Sequence, residues 1–82
     1  MTYLHTNLKY LRQLNKRSQD VAATAVDVPR STYAAWEQGA TEPNCFKLLA
    51  LGAYYRTSLD ILIAKDLTQL RPSEVEQLQA AY

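Results

Sequence analysis

The chain is 82 residues long, 48% hydrophobic and 21% charged, with a formal net charge of +1. That length makes one domain, near the small end of what folds unaided, and so small a charge does not by itself assign a nucleic-acid partner. A single cysteine excludes an internal disulfide and fits a reducing cytoplasm; no apolar run approaches the roughly 20 residues of a membrane span, and the N-terminus does not read as a signal peptide.

Met1 to Thr6 reads as a short lead, with Thr6 capping a first helix that runs to about Leu14. Leu4, Leu8 and Leu11 fall on one stripe of it at i, i+4, i+7 spacing. Asn15 and Lys16 mark the break, asparagine being tolerant of a left-handed cap. Ser18 caps a second helix, Asp20 suits the positive end of its dipole, and Ala22, Ala23 and Val26 form a small apolar face for close packing. Val28 anchors the following bend in the core. Pro29 is expected to end this helix and to preset φ for the third.

The third helix, Arg30 to Gln38, stops at Gly39. Wound at about 100° per residue, it puts Tyr33 and Trp36 on one side, with Thr32 at the border, and Arg30, Ser31, Ala34, Ala35 and Gln38 on the other. A solvated face would more often carry Lys and Glu where this one has alanines. Small residues mid-helix, with a fork-shaped cation at one end and an amide near the other, let a backbone approach the edges of bases in a DNA major groove.

Pro43 and Asn44 start a fourth helix, from Cys45 to about Tyr55, whose inward stripe is expected to be Cys45, Leu48, Leu49 and Gly52, flanked by Leu51 and Tyr55. Thr57 or Ser58 caps a fifth, ending near Lys65. A connector, Asp66 to Arg71, offers Leu67 and Leu70 for packing. Pro72 and Ser73 open a last helix, in which Ser73 and Glu76 have capping-box spacing and Val75, Leu78 and Tyr82 make the apolar edge.

Taken together, Ser18-Gln19, Val26-x-Val28, Arg30-Ser31-Thr32, Trp36-Glu37-Gln38-Gly39, Pro43, Leu48-Leu49 and Ser58-Leu59-Asp60 resemble the helix-turn-helix domain of the phage Cro/repressor-type family, also called the XRE family. The resemblance covers roughly Leu4 to Ile63. It implies an all-α fold, a five-helix lambda-repressor-like helix-turn-helix bundle with an additional C-terminal helix. Residues 1–65 would be the DNA-binding domain, and 66–82 a connector and helix for dimerisation, capping or linkage. It also implies a partly buried ion pair between Arg12 and Glu37 that orients the third helix. Base contacts would come from Arg30, Ser31, Ala34 and Ala35. Gln19 matches a phosphate-holding position, and Lys9, Lys16, Arg17 and Gln38 are weaker backbone candidates.

This sequence departs from the family pattern at several places. Arg17 stands where an apolar residue is usual, to lie on a phosphate or in solvent. Ala40, Thr41 and Glu42 replace the basic loop of relatives. Cys45 occupies a core aliphatic position, so a buried, inert thiol is expected. Phe46, Ala50, Ala53 and Ile61 form an extra apolar strip, to be covered by the C-terminal tail or by a second copy of the chain.

The remaining residues offer no catalytic set. His5, read as a surface residue, is remote from Cys45, no cluster has metal-ligand spacing, and no Gly-rich loop is present; Tyr10, Tyr54 and Tyr55 read as packing groups. No enzyme activity, cofactor or metal is expected. The partner expected is double-stranded DNA, bound by a homodimer of a cytoplasmic transcriptional regulator, most simply a repressor. Two alternatives stand beside it: the N-terminal part of a longer regulator, and a protein-interaction module such as the antitoxin of a toxin–antitoxin pair.

Overall fold

Three leucines at helical spacing in the first segment set the centre of the molecule, and Leu4, Leu8 and Leu11 are buried there. The computed structural model describes residues 2–82, Met1 lying outside them. Six α-helices follow one another, α1 Leu4–Leu14, α2 Gln19–Ala25, α3 Arg30–Gln38, α4 Cys45–Tyr55, α5 Leu59–Ala64 and α6 Pro72–Ala80, with one 3₁₀ turn at Leu67–Gln69, and the described residues hold no strand. Helix α1 packs on α3, α5 and the 3₁₀ turn, α2 on α3, and α4 on α5. The core runs from Leu4 to Val75, so the C-terminal segment contributes Leu67 and Val75 to the same apolar cluster as the first five helices.

Helix α1 begins at Leu4, earlier than the sequence suggests. Tyr3, not Thr6, occupies the N-cap position; its N–H donates to the Ile63 carbonyl at 2.8 Å, which fixes the chain start against α5. The Thr6 hydroxyl instead donates back to the Tyr3 carbonyl at 3.1 Å. Ser18, Asn44 and Ser58 cap α2, α4 and α5 by accepting from Val21, Lys47 and Ile61 N–H groups.

The first four helices end by one device. A residue in the left-handed region follows each: Lys16 at φ 57°, Asp27 at 60°, Gly39 at 76° and Arg56 at 57°. The next N–H then reaches five residues back, from Arg17 to Arg12, Val28 to Ala23, Ala40 to Ala35 and Thr57 to Gly52, at 2.9–3.0 Å. Asn15 is therefore not the left-handed residue. Nor does Pro29 end α2, which has already turned at Asp27; Pro29 leads into α3, its carbonyl accepting from Thr32 and Tyr33. Gly52 serves the fourth of these closures by proximity, since a Cβ there would stand 3.0 Å from the Thr57 carbonyl oxygen.

Helix α4 is turned from its expected centre toward the flank that Leu51 and Tyr55 mark. Leu51, Gly52 and Tyr55 are buried and Leu48 half-buried, while Cys45 and Leu49 point outward, so the thiol is exposed rather than buried. The inward set 48, 51, 52, 55 is a complete i, i+3, i+4, i+7 stripe, and it leaves Cys45 one turn beyond the core edge. Phe46 stays 76% exposed, so the tail does not cover it; Ala53 is exposed, Ala50 half-buried, and Ile61 packs on the core instead of joining the strip. Helix α6 docks through Val75 and Gln79, leaving Tyr82 exposed. Its start is closed by Glu74, which accepts the Arg71 N–H at 2.9 Å, in place of the Ser73/Glu76 pairing.

Two buried amides lock these contacts. The Asn7 side chain, fully buried, donates to the Leu62 and Lys65 carbonyls at 2.8 and 2.6 Å and accepts the Leu67 N–H at 3.1 Å. Gln79 donates to the Tyr55 carbonyl at 2.7 Å and reaches Asn15 at 3.4 Å. Removing Asn7 takes the partner from three backbone groups, two of them in buried hydrogen bonds. Asn7→Ala should lower stability by about 2–4 kcal/mol in urea titration, well beyond the cost of an exposed Asn→Ala change.

Candidate DNA-binding site

The outer side of α3 is built from beneath. Tyr33 is fully buried and Trp36 nearly so, their rings meeting edge to face at 6.1 Å. The Tyr33 hydroxyl pairs with that of Tyr55 on α4 at 2.6 Å. Burial, first of all, pushes both phenols above their ordinary range, so they stay neutral donors and acceptors. With the aromatic side fixed, Arg30, Ser31 and Gln38 are left exposed and Ala34 and Ala35 half-exposed, forming a shallow surface along one helix.

Glu37 joins three helices. Its carboxylate accepts from Arg12 Nε at 2.7 Å and Nη2 at 3.1 Å, and from the Gln19 side-chain amide at 3.1 Å. Arg12 also donates to the Arg17 carbonyl at 3.0 Å, which ties the end of α1 into the same knot. The two charged side chains are only 14% and 3% exposed. Burial pushes the Glu37 carboxyl upward, but hydrogen bonds from Arg12 and Gln19 outweigh it, so Glu37 stays below the usual carboxylate range. Arg12 is held above its ordinary value, chiefly by the Glu37 hydrogen bond.

The bend between α2 and α3 has its own clamp. Lys47 on α4 donates to the Val26 carbonyl at 2.8 Å and the Asp27 carbonyl at 3.3 Å, placing a cation at the negative end of α2. Sequence reading missed Lys47, because nothing in its local pattern separates it from a solvated lysine. Tyr55 reads from sequence only as a packing group and Gln79 only as a surface amide, for the same reason.

The other sequence-predicted residues are dispersed. Lys9, Lys16 and Arg17 are exposed around α1 and the α1–α2 bend. Arg17 has partners within the chain: it donates to the Tyr54 hydroxyl at 2.7 Å and lies 5.1 Å from the centre of that ring. One hydrogen of the Gln19 amide points to Glu37, leaving its second donor unassigned by that bond. Gln19 and Arg30 meet at an open hollow of about 380 Å³, shared with Arg12, Ser18 and Asp20. His5 is half-buried beside Gly39, not a free surface group. Among the described residues no group of His, Cys, Asp or Glu could hold a metal ion, and no helix is long and apolar enough to cross a membrane.

Two short helices set at a fixed bend, the second offering a small-residue face over a pinned aromatic pair, define a helix-turn-helix protein. A family model described as helix-turn-helix matches residues 8–62, and the chain belongs to that family, in its Cro/repressor (XRE) form. It is thereby a DNA-binding transcription regulator in general terms. No curated protein and no solved structure matches the chain.

The Arg12–Glu37 pair carries a pH signature with a definite sign. Because Glu37 binds its proton less tightly folded than unfolded, its stabilisation is complete above the ordinary value of 4.5 and is lost as pH falls through the folded-state value. Arg12→Ala should cost about 3–5 kcal/mol at neutral pH, since it strands a buried carboxylate. It should also reverse the sign: burial then raises the Glu37 carboxyl, so mild acid should stabilise the variant while leaving the wild type unchanged or weaker. Thermal melts between pH 4 and 7 read both effects.

Proposed function

We propose that this chain represses transcription in the cytoplasm by laying α3 in the major groove of duplex DNA as a two-fold dimer. The observation that carries the reading is the exposed Arg30–Gln38 surface, shallow at Ala34 and Ala35 and backed by buried Tyr33 and Trp36. Arg30 reads a guanine through a bidentate pair, Ser31 meets a base edge or phosphate, and Ala34 or Ala35 meets a thymine methyl. Gln19 holds a phosphate at the start of α2, and Lys9, Lys16, Arg17 and Gln38 add weaker backbone contacts. Residues 1–65 form the DNA-binding unit, braced by 66–82.

One such unit makes few phosphate contacts, the more so with Ala40, Thr41 and Glu42 in the loop after α3. Two copies reading a near-palindrome, with half-sites about 34 Å apart, supply the rest. The uncovered Phe46 and Leu49, 76% and 58% exposed, favour a second copy over the tail as cover for that side of α4. They equally favour the other reading, a module that grips a different protein.

Arg30→Ala should weaken binding by about 1–3 kcal/mol and relax preference at one base pair; a uniform loss on all sequences would make Arg30 a phosphate contact. Light scattering after size exclusion should give a dimer for the wild type and a monomer for Phe46→Ser with unchanged circular dichroism. A wild-type monomer without affinity for duplex at low salt would replace this reading with the protein-interaction one.

A further inference from the structure

Asp20 is out of place on a surface meant for a polyanion. It sits in the first turn of α2, 75% exposed, in the same hollow as Gln19 and Arg30. A carboxylate there repels phosphate and lowers affinity for every duplex alike. What it gains is Arg30: Asp20 Oδ1 stands 3.9 Å from Arg30 Nε, a charge contact rather than a hydrogen bond.

The atom involved matters. A guanidinium has two edges able to form a bidentate pair, one through Nε and one through its two terminal nitrogens. A carboxylate on the Nε side leaves the terminal pair outward, the end-on arrangement that matches O6 and N7 of guanine. In free protein the contact is solvated and worth little. Docking on DNA removes water from the hollow, and the same attraction then acts through a lower effective dielectric.

We propose that Asp20 is a specificity-determining residue, which holds the Arg30 side chain by its Nε edge so that its terminal nitrogens address a single base pair. The proposal rests on Arg30 being the base reader. It predicts opposite effects of Asp20→Asn on two quantities: tighter binding to random-sequence duplex, by about 2–3-fold from the lost repulsion, and poorer discrimination at one base pair, by about 3–10-fold.

Selection from a duplex library with a randomised core supplies the preferred sequence, and Arg30→Ala identifies the base pair that Arg30 reads. Affinities of wild type, Asp20→Asn, Arg30→Ala and the double variant are then measured on the preferred duplex, on one altered at that base pair, and on random-sequence duplex. The expected result is a loss of discrimination confined to that base pair in Asp20→Asn and no additional loss in the double variant. If Asp20→Asn tightens all duplexes equally and keeps the discrimination, or changes nothing, Asp20 is only a surface charge and the proposal fails while the Arg30 reading stands. If Arg30→Ala itself relaxes no base pair, both fail. Asp20→Asn melts no more than a few degrees below the wild type, the loss of one charge at the start of α2, exclude a folding defect.

Discussion

Everything on the outer face of α3 depends on the charge contact beneath its C-terminal end. Glu37 is attached to α3, Arg12 to α1 and Gln19 to α2, so a single carboxylate fixes three helix axes relative to one another. Apolar packing alone would not do this. Leu8, Leu11, Ala22, Ala23 and Tyr33 exclude water, but a leucine stripe tolerates small rotations of a helix about its axis at little cost. A bidentate guanidinium–carboxylate pair does not, because its two bonds define a plane. Replacing such a pair with apolar side chains often leaves stability unchanged or higher, so its use here is better sought in the angle it sets than in the free energy it adds.

The rest of the framework repeats this division between burial and direction. Tyr33 and Tyr55 fill volume, and their joined hydroxyls set the height of α3 over α4. Lys47 fills little, yet its ammonium closes the carbonyl end of α2 at the bend. Three of the four left-handed helix ends are borne by Lys16, Asp27 and Arg56 instead of glycine. Each costs on the order of 1 kcal/mol in backbone terms, offset by the hydrogen bond that reaches five residues back. Gln79 extends the network to α6 through the Tyr55 carbonyl. The C-terminal helix is thus connected to α3 by two residues, Tyr55 and Tyr33.

How far the sequence could be read follows from the range of the interactions concerned. Ser18, Asn44, Ser58 and Gly39 act within one turn of where they stand, and their roles are legible from neighbours three or four residues away. The Tyr33/Trp36 side of α3 is legible for the same reason, since helical periodicity is a local property. Asn7, Gln79 and Lys47 are not. Their partners lie at Leu62 and Lys65, at Tyr55, and at Val26, and a polar residue beside an apolar stripe looks the same whether it faces water or an orphan carbonyl. Cys45 and Leu49 show a subtler failure. Helix α4 carries so many apolar residues that several faces are plausible cores, and only the closure between Gly52 and Thr57 and the reach of Lys47 select one. The Asp20–Arg30 contact is hidden too, because it joins the first turns of two helices across a bend whose angle the sequence does not print.

The balance of charges bears on how such a protein selects its sites. The formal net charge is only +1, and the loop after α3 carries Glu42 and no cation. Sequence-independent attraction to phosphate is therefore small for a domain of this kind, and with it the affinity for the vast excess of wrong sites. On the proposed reading, a weakly attracted protein gains its selectivity from geometry: from a rigid α3, from the restraint proposed for Arg30, and from the spacing of two copies. Rigidity beneath and restraint beside Arg30 are then parts of one solution, in which low general affinity makes each well-aimed contact count for more in the ratio of right to wrong sites.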